Sequence, residues 1–408
     1  MPAIELIENV YWIGVNDRTT DLFEGIWPID DVGVSYNSYL IKSDKVALID
    51  LAKGISTDDY LTQVISIVDP SEIDYIIINH VEPDHTGLIK IMSRLAPDAT
   101  FIGTSKAKDM IENYYQLKAG KNIKWKTVSS GDEIDLGTTT LVFYEAPYVH
   151  WPETMITYDK NSKILFSCDA FGSYGALGGK IFDDEVSDKE LDFFEEEALR
   201  YYANIVAKFS RFVIKAINAI DGLDISMIAP SHGLIWRKNP KRIVDLYMKW
   251  AKYEEDASSL EVGITLVFAS MYGNTNKMMN AIAQGIGKTG VPLKIFDASR
   301  THVSYILPYL WKYKSVIIGA PTYEVKLFPP MAYVLDMAIR KRIFNRKTAY
   351  FGSYGWNDGG KRDFIAQADK LKWTILDEFE FIGGPSEVDL KKGEEFGEKF
   401  AKEILSSE

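Results

Sequence analysis

Between Asn79 and Gly87 the chain reads Asn79-His80-Val81-Glu82-Pro83-Asp84-His85-Thr86-Gly87, with two imidazoles and two carboxylates inside six consecutive positions. These are metal-ligating side chains of the nitrogen and oxygen type. Three more candidates follow at wide spacing, His150, Asp169 and His232. Seven such groups are too many for one ordinary ion and suit two if one carboxylate bridges; Asp169 is the natural bridge. Any one histidine taken alone is as readily a satisfied core or surface residue. The cluster, not the single imidazole, points to ligation.

All these groups sit at or just beyond strand ends. Tyr75 to Ile78 reads as a buried strand that runs into the cluster, and Pro83 predicts a loop there. His150 follows a strand over Thr138 to Tyr144, Asp169 one over Lys163 to Ser167, and His232 one over Met227 to Pro230. Further strands are expected at Ser35 to Ile41, Lys45 to Asp50, Ala99 to Gly103, Lys124 to Val128 and Met155 to Tyr158. Helices are expected at Thr57 to Val68, Leu88 to Leu95, through most of Asp188 to Ala219, and at Arg242 to Glu254. Strands mixed with helices predict a layered α/β arrangement with some antiparallel pairing. The glycine-rich Phe171 to Lys180 reads either as a pocket-bordering loop or as a surface turn. Cys168, the one cysteine, reads as a small buried hydrophobe.

The 408 residues exceed one ordinary core, so two or more domains are expected. The formal net charge of -12 disfavours binding to nucleic acid. A single cysteine rules out an internal disulfide and the usual ligands of an iron–sulfur cluster, and fits a reducing cytoplasm. Neither a signal peptide nor a membrane span is expected. Polar, small residues from Tyr253 to Ser259 mark a linker, which sets domains at 1–257 and 258–408.

Beyond it the pattern changes. Strands at Val262 to Phe268, Val291 to Phe296, Ser315 to Gly319, Thr348 to Gly352 and Trp373 to Phe381 alternate with helices at Asn276 to Gly287, Met331 to Arg340, Lys361 to Lys372 and Gly393 to Leu405. That predicts a doubly wound parallel sheet of five strands. Ser270-Met271-Tyr272-Gly273-Asn274-Thr275 links the first strand to the first helix. Short hydroxyls, backbone N–H groups and a helix N-terminus together make an anion cradle. No nucleotide-triphosphate loop or Gly-x-Gly-x-x-Gly is present. Pro321-Thr322-Tyr323 and Ser353-Tyr354-Gly355-Trp356 follow two later strands. They offer aromatics and N–H groups where a flavin ring is held in such sheets. His302 reads as a surface or helix-start residue.

His-x-Glu-x-Asp-His with a later His, Asp and His resembles the metallo-β-lactamase fold as it occurs in flavodiiron proteins (A-type flavoproteins). The flanking His150-Trp151-Pro152-Glu153-Thr154-Met155, Leu165-Phe166-Ser167-Cys168-Asp169 and Pro230-Ser231-His232-Gly233-Leu234-Ile235-Trp236 carry the same resemblance. The loop at Ser270 resembles the Thr/Ser-x-Thr-Gly-x-Thr phosphate loop of flavodoxins, with Tyr272 in place of the middle hydroxyl. Hydrolases of the first fold have histidine where this chain has Glu82, which shifts the donor set from zinc towards iron.

The resemblance implies a metallo-β-lactamase-like αββα sandwich followed by a flavodoxin-like doubly wound sheet. It also implies FMN and two irons, one held by His80, Glu82 and His150 and the other by Asp84, His85 and His232, with Asp169 bridging. His85 is the ligand that some members leave uncoordinated. The implied activity is reduction of dioxygen to water, with nitric oxide to nitrous oxide as the alternative. The implied donor is rubredoxin or a reduced deazaflavin, and the implied assembly a head-to-tail homodimer or dimer of dimers in the cytoplasm, with Trp356 at the subunit contact. Without rubredoxin-like cysteine pairs or a flavin reductase domain, the two-domain form is expected. From another class, a zinc hydrolase fused to a flavodoxin-like carrier shares most of these features except Glu82.

Overall fold

The computed structural model describes residues 1–406 and divides into two compact units, Met1–Met248 and Lys249–Glu408. The division falls within the helix Pro240–Glu255. That helix takes in Tyr253, Glu254 and Glu255, where a linker is expected from composition; the linker-like stretch is only the short turn of helix Ala257–Ser259. Tyr253 is buried and its hydroxyl donates to Glu261, so packing overrides the polar composition.

The first unit is built on two sheets. Seven strands run in the order Ile4–Ile7, Val10–Trp12, Tyr39–Lys42, Val46–Ile49, Ile73–Ile77, Thr100–Gly103 and Lys124–Thr127. Pairing is antiparallel as far as Val46–Ile49 and parallel beyond it. Val46–Ile49 is buried along its whole length, as a central strand covered on both faces must be. The second sheet runs Glu133–Asp135, Thr140–Glu145, Met155–Asp159, Ile164–Cys168 and Met227–Pro230. Its last pair is parallel and the others antiparallel, so Thr140–Glu145, Ile164–Cys168 and Met227–Pro230 end on the same edge. That edge is where His150, Asp169 and His232 emerge.

Three local readings change. The expected strand Ser35 to Ile41 is two strands, Val34–Tyr36 and Tyr39–Lys42, in different sheets. Asn37 and Ser38 between them turn their polar groups to other ends. Asn37 donates to the carbonyls of Pro230 and Gly233 and accepts from the Trp12 indole, while the Ser38 hydroxyl reaches the Asp50 carbonyl. Pro83 does not end regular structure but opens a one-turn helix, Pro83–Thr86, at the position where its missing N–H costs nothing. Phe171 to Gly175 is buried, and the hydroxyl of Tyr247 donates to the Gly172 carbonyl, so this segment is packed into the unit rather than exposed as a turn.

The second unit holds five parallel strands in the order Leu293–Asp297, Glu261–Phe268, Tyr313–Tyr323, Lys347–Tyr354 and Thr374–Ile382. In chain order this is 2-1-3-4-5, the doubly wound order with its switch point beside the first strand. A short strand, Lys326–Leu327, pairs antiparallel on the third. A helix not expected from the pattern, Val303–Lys312, joins the second and third strands despite Pro308 within it. His302 caps it, its ring nitrogen accepting the Ser304 N–H at 3.2 Å. Helices Asn274–Gly287 and Glu387–Leu405 pack over the core of Ile264, Leu266, Met278, Ile282 and Phe400.

Candidate functional site: a dinuclear metal cluster and a flavin cleft

His80 leaves the end of Ile73–Ile77, and the turn Pro83–Thr86 immediately presents Asp84 and His85. Asp169 directly follows Ile164–Cys168, and His232 follows Met227–Pro230 within two residues. His80, His85, His150, Asp84, Asp169 and His232 are all buried, and Glu82 is nearly so.

The two oxygens of Asp169 divide the rest into two sets. Oδ2 lies 3.3 Å from His80 Nε2 and 3.2 Å from His150 Nε2, and Glu82 Oε2 closes that set at 3.3 and 3.0 Å from the same two nitrogens. Oδ1 lies 2.9 Å from His85 Nε2 and 3.4 Å from His232 Nε2, and the Asp84 oxygens lie 3.4 Å from each of those imidazoles. Two donors bound at about 2.1 Å to one ion stand about 3.0 Å apart at octahedral angles and about 3.4 Å apart at tetrahedral ones. The observed separations fit the edges of two coordination polyhedra that share one carboxylate.

Hydrogen bonding supports this reading. Both oxygens of Asp84, both nitrogens of His85, Nε2 of His150 and His232, and Oδ2 of Asp169 are buried without a hydrogen-bond partner among the described residues. Buried polar groups are otherwise almost always satisfied, so seven orphaned atoms in one cluster fit a set of ligands. The far nitrogens are anchored: His80 Nδ1 to Glu153 Oε1 at 2.7 Å, and His232 Nδ1 to the Ser35 carbonyl at 2.7 Å. That leaves each Nε2 facing the cluster.

Electrostatics agree. Burial opposes charging of the rings, but the nearby Asp169 and Glu82 carboxylates outweigh it and push His150 up to about 9. At His232, burial is likewise outweighed by Asp169 and Asp84, and the ring is pushed up to about 10. Burial would raise Asp169, yet the surrounding imidazoles hold it well below the usual carboxylate range. Cys168 lies against Asp169, but burial pushes its thiol up, which makes it a poor ligand or nucleophile.

Glu153 and Asn37 are supporting residues whose roles the sequence pattern leaves unmarked. The one signal for Glu153 is its place in the run after His150. The glycine-rich segment after Asp169 also borders the cluster: a side chain at Gly172 would meet the Asp169 carbonyl at 3.1 Å and the His232 Cβ at 3.4 Å.

In the second unit the strand ends open on a cleft of about 430 Å³. Ser270, Met271, Tyr272, Asn274, Thr275, Pro321, Thr322, Tyr323, Ser353, Tyr354, Gly355 and Trp356 are brought together along it. Gly273 does not line it but shapes it. Its φ of 90° starts the helix Asn274–Gly287, and its N–H donates to Ser270 Oγ at 3.0 Å. Thr275 Oγ1 and Ser353 Oγ meet at 3.4 Å, two hydroxyls at one helix N-terminus. Glu324, Val325, Asn357 and Gly383 join the lining beyond expectation. Trp356 and Tyr272 are 93% and 89% exposed, so the rim offers free aromatic faces. Anion donors at one end and aromatics at the other fit a phosphorylated flavin.

Fold and sites together define a redox protein with a dinuclear metal cluster in one unit and a flavin nucleotide cleft in the other. Residues 34–233 match the ODP family beta lactamase model, and residues 266–395 match Flavodoxin. The chain is 38% identical over 383 residues to an anaerobic nitric oxide reductase flavorubredoxin of Pectobacterium carotovorum, covering 92% of this chain and 72% of that one. Among solved structures, rubredoxin oxygen:oxidoreductase from Desulfovibrio gigas matches with a TM-score of 0.91 and 25% identity over 99% of both chains. The flavodiiron protein from Giardia intestinalis matches with a TM-score of 0.92 and 26% identity, over 100% of this chain and 97% of that one. The chain belongs to the flavodiiron protein family: it is an oxidoreductase of FMN and a non-haem diiron centre. The zinc hydrolase alternative falls with that membership. No helix among the described residues is long and apolar enough to cross a membrane.

Proposed function

We propose that this chain reduces dioxygen to water, with residues 1–257 forming the diiron domain and 258–408 the FMN domain. The observation that carries the reading is the division of six ligand-type residues into two sets of three by the two oxygens of Asp169. His80, Glu82 and His150 would hold one iron, Asp84, His85 and His232 the other, and Asp169 both. Iron and FMN, when bound, supply the one- and two-electron steps that turn dioxygen, four electrons and four protons into two waters. The chain's residues bury the reacting centre, fix the His80 and His232 imidazoles by their far nitrogens and place three carboxylates where ferric charge is best stabilised. Ser270, Met271, Tyr272, Gly273, Asn274 and Thr275 would cradle the FMN phosphate. Pro321, Thr322, Tyr323, Ser353, Tyr354, Gly355 and Trp356 would border the ring.

Nitric oxide is the second reading, favoured by the 38% identity to a relative named for that activity. The end-to-end match to a solved oxygen:oxidoreductase favours the first. Rubredoxin or a reduced deazaflavin is the proposed donor, a head-to-tail homodimer the proposed assembly, and the cytoplasm the proposed location. The test is anaerobic reduction of the iron- and FMN-loaded protein, then separate exposure to each gas. Reoxidation by dioxygen with water as product supports the first reading. Faster reoxidation by nitric oxide, with nitrous oxide evolved, moves the assignment to the second. No reaction with either gas defeats both.

A further inference from the structure

The buried imidazoles of the metal cluster differ in what holds their far nitrogen. His232 donates from Nδ1 to a neutral backbone carbonyl, that of Ser35, at 2.7 Å. His85 Nδ1 has no hydrogen-bond partner among the described residues. His80 Nδ1 meets a carboxylate, Glu153 Oε1, at 2.7 Å. The same oxygen accepts the Val81 N–H at 2.9 Å, which fixes it as an acceptor and His80 as the donor. Glu153 is fully buried in its side chain, and its carbonyl accepts from Thr104 Oγ1 at 3.0 Å, so it has no freedom to leave. Two elements far apart in sequence are thereby locked to one imidazole.

We propose that Glu153 is a positioning residue that makes the two metal positions inequivalent. A carboxylate on the far nitrogen fixes the ring tautomer and raises the basicity of the ligating nitrogen. Among the described residues this directly hydrogen-bonded charge goes to the half-site of His80, Glu82 and His150, whereas the buried Asp50 carboxylate, hydrogen-bonded to Asn79, acts on both His85 and His80. That half-site binds its iron more tightly, and its iron is the more readily oxidised of the pair, because a buried negative charge favours ferric over ferrous. The other half-site, with a neutral anchor on one imidazole and none on the second, is the softer one.

The inference rests on the dinuclear iron reading and is tested with Glu153→Gln. Glutamine keeps the shape, and its side-chain oxygen still accepts from both His80 and Val81, so the charge is lost while both of these hydrogen bonds are kept. Metal-free protein is titrated anaerobically with ferrous iron, and the loaded protein is then titrated against redox mediators with spectroscopic detection of each iron. In Glu153→Gln one of the two ferrous affinities falls about tenfold or more while the other holds, and one iron potential moves upward with the FMN potentials unchanged. Glu153→Asp, which keeps the charge with a shorter reach, lies closer to wild type in potential. Equal weakening of both positions, wild-type behaviour of Glu153→Gln, or an aspartate variant no closer to wild type than glutamine overturns the proposal. Wild-type protein that takes up no second ferrous ion defeats the dinuclear reading itself, a separate outcome.

Discussion

Replacing Glu82 by histidine removes one of three carboxylates from the metal cluster while keeping a donor at the same place. Glu82 Oε2 sits 3.0 Å from His150 Nε2 and 3.3 Å from His80 Nε2, close enough that it would share an ion with both. A unit charge acting across about 4 Å at an effective dielectric of about 20 is worth about 4 kcal/mol. Ferric iron exceeds ferrous by one charge, so the substitution disfavours the oxidised ion at that position by up to about a thousandfold. An extra imidazole also brings the donor set towards that of a zinc site. Purified Glu82→His protein is therefore expected to carry less iron per chain and more zinc. Its dioxygen-driven reoxidation after anaerobic reduction falls at least about tenfold, while its FMN content stays at the wild-type level. Metal analysis and stopped-flow absorbance measure these quantities. Two irons per chain with unchanged turnover would refute the weight placed on Glu82.

Other outcomes follow from the same geometry. Thr275→Val and Ser270→Ala each remove a hydroxyl from the phosphate end of the cleft; a hydrogen bond to a charged group is worth about 1.5–3 kcal/mol, so FMN affinity drops about ten- to a hundredfold, read by fluorescence quenching on rebinding. Wild-type affinity in both variants excludes this loop as the cradle. Ferrous affinity of metal-free protein rises with pH across the neutral range. His150 and His232 hold protons up to about 9 and about 10 and must release them to ligate, whereas Asp169 and Glu82, despite burial, are held below the usual carboxylate range by the imidazoles beside them; affinity that is flat with pH, or no proton release on binding, contradicts this. Gly285→Ala lowers the melting temperature of the flavin unit. Its Cβ would stand 1.9 Å from the Glu394 carbonyl oxygen of the facing helix, and overpacking of about 1–3 kcal/mol exceeds the roughly 1 kcal/mol gained in helix propensity. A melt followed by FMN release that is unchanged or higher refutes that close crossing.

The residues of the metal-type cluster are legible in sequence because the runs that carry them are. Ile73–Ile77 and Met227–Pro230 are short, largely apolar stretches that end two or three residues before a candidate ligand, and imidazoles at strand ends are too rare to pass unnoticed. The flavin cleft is legible for the same reason, since parallel strands present their carboxyl ends on one side. Residues that act on ligands from behind leave no such trace. Glu153 stands 73 positions from His80, and Asn37 stands 193 positions from Pro230, so only the folded chain pairs them. Local signals also mislead where tertiary contacts dominate. Pro308 argues against the helix Val303–Lys312, yet six of its other residues, among them Ile306, Leu310 and Trp311, are buried and hold it. Polar Glu254 and Glu255 argue for a linker where the packed helix continues.

Four non-glycine residues beside the ligands occupy the left-handed backbone region: Asp50, Tyr148, Cys168 and Phe171, with φ of 51°, 66°, 51° and 69°. Each costs about 1–2 kcal/mol, and such conformations persist only where the surroundings over-determine them. Here they do. Asp50 accepts from the backbone and side-chain amides of Asn79 at 2.8 and 3.0 Å. The Tyr148 N–H donates to the Trp151 carbonyl at 2.7 Å, and its ring lies 4.7 Å from that of Phe212. The Cys168 carbonyl accepts the Ser231 N–H at 2.8 Å, and Phe171 meets the edge of Tyr247 at 5.3 Å. None of these contacts uses a ligand atom, so the ligand turns are shaped by the scaffold and not by the ions. Protons on His150 and His232 also balance the buried carboxylates when no ion does so. Removing the metals is therefore expected to leave the first unit folded, unlike small domains whose fold is the metal site. Chelated protein should keep its far-ultraviolet circular dichroism and a cooperative melt, at a lowered melting temperature that ferrous iron restores. Collapse of the dichroism on chelation would show that the ions, and not the strained turns, hold the site together.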